Sequence, residues 1–124
     1  MNGLQGLIDR LTHERIPKAL ATSAPKLNVE HTLAELDLAD AFPIIVRGDE
    51  VARGKPAPDP FLAACQALHV KPAAAVAIED SVAGVTAAVA ARVGRVVAVT
   101  TTTEARLLRD AGAHQVVGSL EELV

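Results

Sequence analysis

Two adjacent carboxylates, Glu79 and Asp80, directly follow the apolar run Val76-Ala77-Ile78 and directly precede Ser81. A carboxylate pair suits a hard cation such as Mg²⁺, which takes oxygen ligands. A purely structural alternative is open at this point, because Asp and Ser both cap helices and a small-residue segment begins at Val82. The second chemistry-bearing group is Lys55, in Lys55-Pro56-Ala57-Pro58-Asp59-Pro60. Its ammonium is a point charge for phosphate, on a segment that the prolines stiffen by restricting φ and the residues before them. The third is Thr22-Ser23, two hydroxyls after the short apolar run Ala19-Leu20-Ala21. Together these groups suit a phosphoryl group plus Mg²⁺. The hydroxyls and nearby amides would bond phosphoryl oxygens, the lysine would offset transferring charge, and the carboxylates would hold the metal. Taken singly, each is ordinary surface, turn or cap chemistry.

What decides between the two readings is where the elements put these residues. Leu4, Leu7, Ile8 and Leu11 recur at helical spacing, predicting a helix over 6–15 that Pro17 ends. A short strand follows at 19–21, then a helix marked by Val29, Leu33 and Leu36, then a strand over 42–46. Asp59 is expected to cap a helix over 60–68, with Pro60 at its first position. A strand over 74–79, a helix over 82–91, a strand over 96–100 and a helix over 104–111 stopped by Gly112 come next. A last strand at 115–117 and a turn of helix capped by Ser119 close the chain. Strands alternating with helices predict an α/β fold, a Rossmann-like three-layer sandwich with a parallel sheet. In such a sheet ligands collect beyond the carboxyl ends of the strands. Thr22-Ser23, Lys55 and Glu79-Asp80 all fall at or after strand ends, hence at one edge.

Composition narrows the function classes. Half of the 124 residues are hydrophobic and only 2% are aromatic, so the core must be built from Ala, Val, Leu and Ile. A net charge of −3 gives no electrostatic reason to expect nucleic acid or an anionic membrane as partner. No apolar run approaches the roughly 18 residues of a membrane span. Cys65 is the only cysteine, which excludes an internal disulfide or a thiolate metal cluster and points to a cytoplasmic protein. His13, His31, His69 and His114 lack ligand-like spacing and read as surface or boundary residues.

Taken together, the three segments resemble the haloacid-dehalogenase-like (HAD) hydrolase superfamily, in its phosphoglycolate phosphatase and β-phosphoglucomutase branch. Leu20-Ala21-Thr22-Ser23 is similar to the family's second motif, which implies Thr22 as a phosphate-binding hydroxyl and Ser23 as its neighbour. Gly54-Lys55-Pro56-Ala57-Pro58-Asp59-Pro60-Phe61 is similar to the third, which implies Lys55 as the lysine that orients phosphate and nucleophile. Ile78-Glu79-Asp80-Ser81-Val82-Ala83-Gly84-Val85 is similar to the fourth, which implies Asp80 as a Mg²⁺ ligand and Glu79 as a ligand or its neighbour. The resemblance covers nearly the whole chain. It implies a Mg²⁺-dependent phosphatase or phosphomutase acting on a small phosphorylated metabolite through an aspartyl-phosphate.

One departure is large. Family members open with a strand ending in Asp-x-Asp, whose first Asp is the nucleophile and whose second is the general acid/base. This sequence contains no Asp-x-Asp: Asp37 and Asp40 are three apart, and Asp49 adjoins Glu50. The helical cap that follows that motif is missing too. The resemblance therefore implies a single HAD-like core domain, 1–124, lacking its first strand and its cap. By residue number the implied strand order is 115–117, 96–100, 74–79, an empty place, 17–22, 42–46. Because unpaired buried amides are costly, the two strands beside that place are expected to close directly on each other. The alternative is a homodimer or a complementing N-terminal segment that supplies the pairing. On this reading the chain alone is inactive or nearly so, and a non-catalytic phosphate-binding or strand-capturing module stays open.

Overall fold

The computed structural model describes residues 3–123. The apolar stripe near the amino terminus forms α1, Leu4–His13, which buries Leu7 and Ile8. Two short parallel strands follow the same rule of brief apolar runs: β1, Ala19–Ala21, and β2, Ile44–Val46, paired with Ala19 opposite Ile44. Between them lies α2, Lys26–Glu35, which buries Val29 and Leu33. After the proline segment comes α3, Asp59–Leu68. Then β3, Val76–Glu79, β4, Arg95–Val99, and β5, Gln115–Val117, form a parallel sheet in the order β3-β4-β5. The helices α4, Val82–Ala90, and α5, Ala105–Asp110, connect them. A 3₁₀ turn, Leu120–Leu123, ends the described chain.

Side-chain alternation along the strands builds a core on each face. Val96, Ala98 and Ala77 pack with Val85, Ala88 and Leu108 from α4 and α5, joined by Phe61 of α3. Val97, Val99 and Val117 point the other way, onto Leu7 of α1 and Leu120. Ile8, on the neighbouring position of α1, packs instead with Val29, Leu33 and Leu38, beside Leu20 and Ile45. Helices thus lie on both faces of the strands, the α/β layering expected from the sequence.

Direct closure is where the structure differs from expectation. β1 and β3 do not pair; β1-β2 and β3-β4-β5 are separate sheets. The two sheets are joined instead by the helices that span them. α1 contributes Leu7 to the β4-β5 side and Ile8 to the β1-β2 side. On the other face α3 touches β1 and β2 and also packs against α4, with Phe61 on the core beneath β3. Two helices docked on both sheets, with Lys55 bonded to both strand ends, therefore tie the halves together without strand pairing. The β3 positions facing away from α4 stay open to solvent, Val76 at 61% exposure and Ile78 at 37%.

Element boundaries shift by a residue or two, and one cap is reassigned. Asp59 does not cap α3: the helix begins at Asp59 itself, after Pro58, and the Asp59 carboxylate accepts from Arg53 at 3.3 Å. The strand expected from Ala74 starts only at Val76, because Pro72–Ala74 winds into a 3₁₀ turn.

Candidate functional site

The loop after β1 is held by backbone. The Thr22 amide still donates to the Val46 carbonyl at 2.9 Å, and the Thr22 hydroxyl oxygen accepts from the Ala24 amide at 3.1 Å. Its hydroxyl hydrogen is thereby left to point elsewhere. Gly48, just past β2, lies flat against this loop: a Cβ there would overlap the Ser23 carbonyl, and the Gly48 amide donates to Ala24 at 3.3 Å. Ser23 itself is exposed. The turn Gly48–Glu50 is closed by Glu50, whose carboxylate accepts from the Arg47 amide at 3.1 Å and from its guanidinium at 2.8 Å. Those bonds from Arg47 hold the Glu50 carboxyl below its ordinary value.

Lys55 reaches across the divide between the sheets. Its Nζ donates to the carbonyl of Ala21, the last residue of β1, at 3.1 Å, and to Glu79 Oε1, at the end of β3, at 2.6 Å. The Phe61 ring lies 5.2 Å from the ammonium, close enough for a cation–π contact. The ion pair is largely dry, with side-chain exposures of 11% for Lys55 and 8% for Glu79. Burial pushes the Glu79 carboxyl above its ordinary value, and the Lys55 charge pulls against that shift. An ammonium has three N–H bonds, and two of them go to these described partners.

Asp80 is half-buried, and its Oδ2 accepts from the Thr101 hydroxyl at 3.3 Å. The capping role considered for this pair falls to its neighbour. Ser81 is the N-cap of α4, its Oγ accepting from the Gly84 amide at 3.0 Å, so Asp80 is not used as a cap. The carboxyl ends of β1 and β3, and the loop carrying Lys55, therefore meet through a single ammonium. Thr101, from the threonine run after β4, was not among the expected site residues; that run was the only sign of it in the sequence. A cavity of about 230 Å³ touches Thr22 but is not lined by Lys55, Glu79 or Asp80; its walls are mostly apolar, with Leu4, Leu20, Leu33 and Phe42 among them.

Comparison with known proteins follows the same residues. The family described as haloacid dehalogenase-like hydrolase matches residues 1–92, most of the chain and all three motifs. The chain belongs to this superfamily. Within it, the β-phosphoglucomutase and CbbY branch is the part matched. The HAD chain is 35% identical over 111 residues to validoxylamine A 7'-phosphate phosphatase of Streptomyces hygroscopicus subsp. limoneus, covering 90% of this chain and 52% of that protein. It is 36% identical over 116 residues to a phosphorylated carbohydrates phosphatase of Thermotoga maritima, covering 93% and 54%. The crystal structure of CbbY from Rhodobacter sphaeroides in complex with phosphate superposes with a TM-score of 0.86 at 33% identity, covering 98% of this chain and 55% of that one. This chain thus spans about half the length of the relatives it matches. Its relatives include sugar-phosphate phosphatases and a phosphomutase. Among the described residues no helix is long and apolar enough to cross a membrane.

The donor set fits Mg²⁺ in kind, since Asp80 and Glu79 offer hard carboxylate oxygens on consecutive residues. It is small in number, since no group of three or more His, Cys, Asp or Glu converges among the described residues. Magnesium tolerates this better than most ions, because it usually keeps several waters.

Proposed function

We propose that this chain carries the phosphate-binding and metal-binding half of a HAD phosphatase or phosphomutase for small phosphorylated metabolites, sugar phosphates foremost. The supporting observation is Lys55 Nζ, bonded at once to Ala21, next to Thr22, and to Glu79, next to Asp80. A phosphoryl oxygen meeting the third N–H of Lys55 comes within reach of the Thr22 hydroxyl and the loop amides around Ser23. Asp80, oriented by Thr101, and Glu79 would hold Mg²⁺, which when bound withdraws charge from the phosphoryl oxygens. A mutant of the related CbbY of Rhodobacter sphaeroides has been crystallised in complex with xylulose-(1,5)bisphosphate, which favours a phosphorylated sugar as the substrate class.

In this reading the nucleophile comes from an Asp-x-Asp strand, in cis or from a complementing segment, lodged between β1 and β3. Its carboxylate attacks phosphorus, the ester P–O bond breaks, and the alcohol leaves with a proton from the second Asp. Water then hydrolyses the aspartyl-phosphate. Without such a strand, the positioning groups retain only a small remainder of the rate. The test is hydrolysis of an aryl phosphate with Mg²⁺ by the 124-residue chain, alone and with an added peptide bearing an Asp-x-Asp strand. Negligible turnover alone and Lys55-dependent turnover with the peptide is the expected result. Family-typical turnover by the chain alone, lost on Lys55→Ala, would contradict it.

A further inference from the structure

We infer that Gly84 is a positioning residue for Lys55, acting through Glu79: the missing side chain at 84 is the space the Glu79 carboxylate occupies when it holds the ammonium. Its meaning for catalysis rests on the phosphate-site reading above; the geometry does not. Glu79 leaves the end of β3 and lies back over the first turn of α4. A Cβ built on Gly84 would overlap the carboxyl carbon and both oxygens of Glu79. The contrast with Gly54 is informative, since a Cβ there meets nothing within 4 Å.

Gly84 sits in the body of α4, which spans Val82–Ala90, with its amide donated to the cap Ser81. Its φ lies outside the left-handed region, so its backbone would accept any L residue. What an alanine would exclude is the carboxylate. Because the obstruction is the far end of a side chain rather than backbone, the helix can keep its place while Glu79 swings away. The 2.6 Å bond to Lys55 Nζ is then lost. Ala21 and Phe61 remain beside the ammonium, but neither carries a charge to anchor it. Gly84→Ala is therefore predicted to leave the fold intact and disorder the lysine, the reverse of what a packing glycine would show.

The experiment uses the chain labelled with ¹⁵N and reads the ammonium correlations of its four lysines, Lys18, Lys26, Lys55 and Lys71. A buried, ion-paired ammonium exchanges slowly enough to be seen, and Lys55→Arg assigns it. Wild type should show the Lys55 correlation. Gly84→Ala should keep the circular dichroism spectrum, melt at a lower temperature because the buried pair is broken, lose that correlation, and bind inorganic phosphate about tenfold more weakly, the scale of one charge-assisted hydrogen bond. Glu79→Asp, one methylene shorter, should restore the correlation when combined with Gly84→Ala. An unchanged Lys55 correlation in Gly84→Ala, its absence in wild type, or no recovery in the double variant would overturn the inference. If Gly84→Ala does not fold, the double variant decides: folding with the correlation restored supports the inference, and failure to fold overturns it. Correlations as expected in a chain that binds no phosphate would sink the phosphate-site reading and leave the positioning role standing.

Discussion

Burying the ammonium of Lys55 is tolerable only because Glu79 lies against it, and the converse holds for Glu79. Removing one partner strands the other charge in a dry place. Lys55→Met should therefore destabilise the chain by about 3–5 kcal/mol, measured by urea unfolding. The double variant Lys55→Met/Glu79→Leu should cost less than the sum of the two single changes; strict additivity would mean that the pair is not coupled. At this scale the sequence was most legible. Lysine among prolines, a carboxylate doublet and a hydroxyl after an apolar run are residue types whose chemistry survives without coordinates. Two things were not legible. The bond from Thr101 to Asp80 joins residues 21 positions apart, and the clearance at Gly84 depends on which way Glu79 turns. Neither leaves a trace in spacing alone.

Elements in this chain are short, so each rests on a few buried groups. Leu108 is fully buried between α5 and the β3-β4-β5 sheet. Leu108→Ala should cost about 2–5 kcal/mol, the transfer loss plus the cavity it leaves, again read by urea unfolding. Cys65, buried on α3, reports on pH: burial pushes its thiol above the ordinary value of 9.0. The unfolded thiol therefore ionises first. The contribution of Cys65 to stability is complete below the unfolded value and is lost as pH rises through the folded one. Cys65→Ala should flatten that alkaline fall; an unchanged pH profile would mean that the thiol plays no part in it. Periodicity located all five helices and five strands of the described residues, but it misplaced ends. Asp59 read as a cap because its residue type favours that position, whereas Arg53 across the loop claims its carboxylate. The strand expected from Ala74 lost two residues because Pro72 favours a turn there.

At the scale of the molecule, the divided sheet is the feature that one-dimensional reasoning got wrong. The cost of unpaired amides argued for closure, yet α1 and α3 each dock on both halves and Lys55 ties the strand ends from the side. Strand order within each half was legible from the family resemblance; that helices and a lysine, not paired strands, tie the halves together is something no motif encodes. An open β3 edge with Val76 and Ile78 exposed is a surface on which another strand can add. Val76→Lys should change the isolated chain's stability by no more than about 0.5 kcal/mol while blocking reconstitution by an Asp-x-Asp strand peptide, assayed as recovered aryl phosphate hydrolysis. Recovery equal to wild type would place the strand elsewhere.

Loops after two separate sheets, and the lysine between them, are held here to form one phosphate site. Backbone amide shifts of the ¹⁵N-labelled chain, followed as inorganic phosphate is added with Mg²⁺, test that most directly. The predicted result is saturable change confined to Thr22–Ala24, Lys55, and Glu79–Ser81, all abolished together by Lys55→Ala. Changes scattered over the surface, or clustered away from these three segments, would contradict it.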